Sequence, residues 1–272
     1  MLTTTVDGLW VLQVLSGIET LAPEMGLRPY LPSAESAETA LRHPIAEELR
    51  AVGAITPDNS PDATLLDWLA VISRRDAALL MSVQSPSGNG DPDRILLARF
   101  AHWWVALEVS GISIRLSATG TAGDRQDARH LIDSHIERLC GTMEAADFRP
   151  VCLDTSALLD TVRDRASLDI FLSRQCLDPE QLEILTKAAD MERAAQASVV
   201  AIQSGQVRSQ IDPGAVTIID TTNGRVVAEH VRHAGKTWLL LSPGSGRAIS
   251  EAVATMLHRL PAQDERHLRK VV

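Results

Sequence analysis

The run Trp103-Trp104-Val105-Ala106-Leu107-Glu108-Val109-Ser110-Gly111-Ile112-Ser113-Ile114-Arg115-Leu116-Ser117-Ala118 sorts into two faces if it doubles back on itself. A two-residue turn at Ser110-Gly111 sets Val109 opposite Ile112, Leu107 opposite Ile114, Val105 opposite Leu116 and Trp103 opposite Ala118. Every one of those pairs is apolar. The other face pairs Glu108 with Ser113, Ala106 with Arg115, and Trp104 with Ser117. Strand side chains alternate, so a slip of one residue scrambles both sets, and the pattern specifies an antiparallel hairpin. Trp103 then belongs to the core. Trp104 is either an exposed aromatic anchor beside Glu108, Arg115 and Ser117, or a locally packed ring.

Outward from the hairpin, the chain repeats one order of elements. Helix 62–75, strand 77–84, a Gly/Pro-containing loop over Ser85–Asp93, the hairpin and helix 127–140 make one copy. Helix 178–189, strand 195–203, a second such loop, strands between 215 and 241 and helix 246–260 make the other. Asn223-Gly224 reads as a type I′ turn within this second set. Upstream, Asp7 caps a helix carrying Trp10, Val11, Val14, Leu15 and Ile18, Pro29 and Pro32 enforce an extended path, and Pro44 opens a further helix. Helices over 156–163 and 167–175 precede the second copy, and Pro261 ends the last helix before a charged dozen residues. The predicted fold is α+β: a central antiparallel β-sheet with flanking helical bundles, internally duplicated with pseudo-two-fold symmetry. The expected halves are 1–150 and 151–272, within one compact fold.

Chemistry is hard to find. The chain has 272 residues, 45% of them hydrophobic, and a net charge of -9 with no basic stripe, which argues against nucleic acid. Cys140, Cys152 and Cys176 are odd in number and far apart, so buried reduced thiols are expected rather than a disulfide or zinc framework. His130 and His135 fall on different helix faces, and His230 and His233 on opposite sides of a strand, so no metal is expected. No nucleophile elbow appears, no catalytic residue stands out and no cofactor is implied. No secretory signal or spanning segment is read, so the expected place is the cytoplasm, without membrane insertion. The Gly-rich loops 118–124 and 242–246 precede helices, where a phosphate binds well, but they lack the P-loop spacing. They leave an alternative open: a small-molecule-binding regulator or enzyme using those loops. A further alternative is a structural subunit that pairs with itself through a strand edge.

Several segments carry a family likeness. They are Val6-Asp7-Gly8-Leu9-Trp10-Val11-Leu12, Met25-Gly26-Leu27-Arg28-Pro29, the helix with Leu49 and Gly53, Arg99-Phe100 followed by Trp103-Trp104, the hairpin, and Leu241-Ser242-Pro243-Gly244-Ser245. Over essentially the whole chain they resemble the EspG chaperones of mycobacterial type VII (ESX) secretion, nearest the paralogue of the second ESX system. The resemblance implies a cytosolic chaperone that binds the hydrophobic tip of PPE in PE–PPE heterodimers, keeps them soluble and lends specificity for one system. It implies a contact surface on the central sheet and the C-terminal helical bundle. Carried onto this chain, that surface comprises Trp104, Arg115 and Ser117, together with Phe171, Gln175 and Trp238. The expected solution state is a monomer or weak homodimer.

Overall fold

The computed structural model describes residues 1–86, 92–204 and 210–260. Its first half runs β1 (Leu2–Thr5), α1 (Val6–Ser16), α2 (Ala37–Arg42), α3 (Ile45–Ala51), α4 (Ala63–Arg74), β2 (Ala77–Gln84), β3 (Asp93–Phe100), β4 (Trp103–Ser110), β5 (Ser113–Thr121) and α5 (Arg125–Cys140). Its second half runs β6 (Val151–Asp154), α6 (Thr155–Thr161), α7 (Arg165–Ser173), α8 (Pro179–Ala188), β7 (Ala195–Gln203), β8 (Gln210–Thr221), β9 (Gly224–His233), β10 (Lys236–Pro243) and α9 (Gly246–His258). The strand order is β1-β5-β4-β3-β2-β7-β8-β9-β10-β6. Counted within its own half, each half reads first, fifth, fourth, third, second from its outer edge, so the duplication is one of topology. Both outer strands are only four residues long, a short edge of the kind that limits pairing with other chains. Strands β1, β3 and β6 are additions to the sequence reading. The loop expected over Ser85–Asp93 falls largely outside the described residues, as do Pro261 and the charged C-terminal dozen.

By packing, the chain forms two compact units: Met1–Leu80 with Asp93–Leu131 and Ile202–Gln210, and Met81–Pro92 with Ile132–Ala201 and Ile211–Val272. In the first unit, α1 starts from β1 with Thr5, not Asp7, as its cap; Thr5 Oγ1 accepts from Gly8 N at 3.2 Å. Leu9, Val11, Leu12 and Val14 of α1 join Leu65, Leu69 and Ile72 of α4 over Leu107, Ile114 and Leu116 of the sheet. Trp10 packs at the margin of this cluster, its Nε1 donating to Glu35 at 3.1 Å. Arg75, almost fully buried, closes the unit's base by donating to Leu21 O (3.0 Å), Ile72 O (2.6 Å) and Glu24 Oε2 (2.7 Å).

The hairpin is present with its turn one residue later than expected. Ser110 pairs with Ser113, so Gly111-Ile112 is the loop, and Leu107 lies opposite Leu116 rather than Ile114. Gly111 has φ 57° while Ile112 stays negative, the pattern of a type II′ turn, which wants glycine first. A turn at Ser110-Gly111 puts serine in that strained place instead. Moving the turn by one moves the pairing by two, so the two faces keep their members. A register shift between Trp104 and Val105 leaves Thr119 as an extra residue on β5.

In the second unit, Phe171, Leu172, Ile184, Leu185 and Ala188 of α7 and α8 pack on Val151, Leu153, Ala228 and Leu241 of the sheet. The three helices before β7 are each capped by a carboxylate. Amide donation from Ala157 holds Asp154, and from Ser167 holds Asp164, below the usual 3.8, and the Arg149 guanidinium followed by the Gln181 amide does so for Asp178. A carboxyl depressed in the folded state stabilises it fully above 3.8 and less as pH falls through the lower native value. Replacing all three by asparagine, which still caps but carries no charge, is expected to lower the Tm modestly near pH 7, most through loss of the Arg149–Asp178 pair, and to shrink the further loss of Tm at about pH 3. An undiminished acid-induced loss in thermal melts contradicts this. Asn223-Gly224 also sits one place off: Thr221 pairs with Gly224, so Thr222-Asn223 forms the loop. Gly224 has φ 110°, and a Cβ there meets Ala146 N at 2.8 Å, so this glycine serves a close backbone approach as well as a turn.

Candidate functional site

Strands β6, β9 and β10 have two unlike faces. Leu239 and Leu241 of β10 point with Ala228, Val151 and Leu153 into the core under α6–α8. The reverse face follows from the register: Trp238 lies opposite Val231 and Asp154, and Leu240 opposite Glu229 and Cys152. Trp238, Leu240 and Val231 are half-buried and Cys152 is exposed. A tryptophan and two branched aliphatic residues therefore share a partly open sheet surface. Burial raises the Glu229 carboxyl above its ordinary range on this face, with Arg259 partly offsetting it. Exposed Leu159, Ile170 and Leu182 add apolar points on α6, α7 and α8.

The expected site residues separate on this frame. Trp104 is only 3% exposed, so it is no surface anchor; Trp103, expected in the core, is 52% exposed. The cause is that β4 is buried on both faces: Val105 and Leu107 face the helices of the first unit, while Trp104 and Ala106 on the reverse face are also covered. Alternation tells the faces apart but does not tell which is open. Arg99 lies over the Trp104 ring at 5.9 Å and is held by Asp76 at 2.9 Å. Arg115 and Ser117 do share Trp104's face on β5, where Arg115 is exposed and Ser117 half-buried, with Glu108 opposite Arg115.

Phe171 is likewise corrected: it is 5% exposed and packs in the second unit's core, because α7 turns Leu168, Phe171 and Leu172 inward and leaves Ile170 outside. Gln175 donates to Phe171 O at 3.3 Å and so finishes α7. Trp238 alone lies on a partly open apolar face. Its companions Leu240, Val231 and Cys152 escaped the sequence reading because Trp238-Leu239-Leu240-Leu241 is apolar throughout and offers no contrast with period two. The thiols also differ from expectation. All three are free, but Cys152 and Cys176 are exposed and only Cys140 is half-buried, where burial pushes its thiol up. Cys152 alternates with Val151 and Leu153, so its neighbours fill the core and it faces out.

The Gly-rich loops are occupied by the protein's own atoms. At the start of α5, Asp127 accepts from Gly123 N at 3.2 Å and Asp124 from Asp127 N at 2.9 Å, so carboxylates sit where a phosphate needs open donors. In the second loop, Gly244 N donates to Arg225 O at 2.8 Å, and a Cβ on Gly244 falls 2.5 Å from Arg225 Cγ. Ser245 caps α9 through Ala248 N at 3.2 Å. Among the described residues no group of three or more His, Cys, Asp or Glu side chains is arranged to hold a metal. No helix among them is long and apolar enough to cross a membrane.

The sheet is thus duplicated in topology, keeps one apolar face partly open, and has its glycine turns filled from within. The EspG family model matches residues 5–255, and the chain belongs to the EspG family. It is 46% identical over 270 residues to the ESX-2 secretion-associated protein EspG2 of Mycobacterium tuberculosis, covering 97% of each chain. It is 26% identical over 290 residues to the ESX-5 secretion-associated protein EspG5 of Mycobacterium marinum, covering 96% of this chain and 94% of the other. Its fold is like that of the Mycobacterium tuberculosis type VII secretion system chaperone EspG5, solved in complex with a PE25–PPE41 dimer. The TM-score is 0.76 at 21% identity, over 96% of this chain and 97% of that one.

Proposed function

We propose that this chain is a cytoplasmic, non-catalytic chaperone of type VII secretion that holds a PE–PPE heterodimer by the apolar tip of its PPE subunit and directs it to one ESX system. The observation that carries the reading is the partly open face of Trp238, Leu240 and Val231 on β9 and β10. The names of the relatives support it, and so does the EspG5 chaperone bound to PE25–PPE41. The physics is simple. An apolar tip on a secretion substrate aggregates until it is covered, and a matching apolar face removes it from water. Release at export needs a surface of ordinary size rather than an obligate interface. No nucleotide is required to mask one patch with another.

Co-expression tests the reading. With a PE–PPE pair from its own genome, the chain is expected to co-purify as a ternary complex and to raise the soluble yield of that pair. Failure of every such pair from that genome to co-purify or gain solubility overturns it.

A further inference from the structure

We propose that the cleft between the β9–β10 hairpin and the end of α9 receives a carboxylate from an acidic side chain of the protein partner; the partner's identity rests on the chaperone reading above. The cleft has a volume of about 220 Å³ and is lined by Asp212, Gly214, His230, Arg232, Thr237 and Arg259. Arg232 and Thr237 face each other across β9 and β10. Arg232 is exposed, and its guanidinium has no hydrogen-bond or ion-pair partner among the described residues.

Arg259 is already aimed. Its Nε and Nη2 each reach Asp212 at 3.2 Å, and Asp212 Oδ1 also accepts from Gly214 N at 2.8 Å. Among the described residues that line the cleft, the one carboxylate, Asp212, is thus engaged in holding Arg259 in place. A side chain at position 214 intrudes on that arrangement, since a Cβ there lies 2.8 Å from Arg259 Nη2. His230 brings a ring whose buried Nδ1 has no partner among the described residues. Among the described lining residues, two guanidiniums, an imidazole and a hydroxyl therefore meet one engaged acid, with Glu229 of β9 also within the field of Arg259. Donors exceed acceptors, and a planar carboxylate matches the guanidinium fork.

The surrounding charge points the same way. The chain carries -9 overall, yet His230-Val231-Arg232-His233-Ala234-Gly235-Lys236 contains no acid. Lys236 is paired with Asp154 at 3.6 Å and Glu229 directly precedes the segment, so Arg232 is the hairpin cation left to meet an acidic partner. The Arg232–Thr237 pair is also next along the hairpin from Val231–Trp238. Alternation turns this pair to the sheet face opposite Trp238, near the tip of the hairpin, so the cleft is a contact separate from the apolar face.

Two measurements on the full chain test the proposal. In the first, the protein alone is titrated with N-acetyl-glutamate α-amide, a single side-chain carboxylate, and His230 and arginine resonances are followed. A saturable shift that is lost in Arg232→Ala is expected. In the second, affinity for the cognate PE–PPE pair is measured across salt concentrations. Arg232→Glu is expected to weaken binding about tenfold and to flatten its salt dependence, while Arg193→Glu, the same charge change on an exposed site, leaves both unchanged. Unaltered affinity and salt slope in Arg232→Glu overturn the proposal. If the blocked glutamate binds but the pair ignores Arg232→Glu, the cleft takes a free carboxylate and docking by the partner is overturned. If the wild-type chain binds no pair, the chaperone reading fails separately; absence of a saturable shift then overturns the cleft as well.

Discussion

Replacing Arg225 by alanine is expected to destabilise the protein by about 3–5 kcal/mol, because it strands a half-buried carboxylate and two carbonyls at once. Arg225 is almost fully buried. Its Nε and Nη2 grip the two oxygens of Asp220 at 2.6 and 2.9 Å, while Nη1 and Nη2 donate to Gly141 O at 3.0 Å and Cys140 O at 2.7 Å. Its backbone is as heavily used. Arg225 N donates to Glu144 O at 2.8 Å, and Arg225 O accepts from Ala146 N at 2.9 Å and Gly244 N at 2.8 Å. One residue therefore ties the segment after α5 and the β10–α9 turn to the start of β9. Lysine keeps the charge but loses the fork, so Arg225→Lys is expected to recover only part of the loss. Urea denaturation of the three proteins measures it. A change under about 1 kcal/mol in Arg225→Ala means the network is ornamental.

Trp238→Glu is expected to weaken binding of the PE–PPE pair at least about thirtyfold, the range of an interface hot spot, while the melting temperature moves little. The reasoning is one of place. Trp238 is half-buried on the reverse of a strand whose Leu239 and Leu241 supply the core, so a charge there spoils the presented face rather than the packing. Leu240→Glu, two residues on along the same face, is expected to behave alike. Titration calorimetry with the purified pair measures both. Unchanged affinity in folded Trp238→Glu removes this face from the interface.

Much of the fold was legible because the determinants are local. The hairpin faces at 103–118 and the duplicated element order are both written in residue spacing. Turn registers were less so. Gly111 and Gly224 each mark their turns, but which loop position each occupies depends on φ and on what lies against it; for Gly224 that is the backbone near Ala146, far along the chain. Strands β1 and β6 are four residues each and carry too short a pattern to recognise. The candidate site was only partly visible. Arg115 and Ser117 lie where alternation puts them, and Trp238, named from the resemblance, lies on a partly open face, yet Trp104 and Phe171 are covered. Period two and period 3.6 sort side chains into faces, and only the neighbours packed on a face decide whether it is open. Gly244 shows the same limit from the other side, since a loop that reads as a phosphate cradle holds Arg225 instead.

Hydrogen–deuterium exchange on the purified complex of this chain with a cognate PE–PPE pair, compared with the free chain, tests the central claim most directly. The account predicts new protection over β10 and β6, around Trp238, Leu240 and Cys152, where the free sheet face is partly open. A stable complex whose protection spares these strands and is confined to β5, around Arg115 and Ser117, contradicts it.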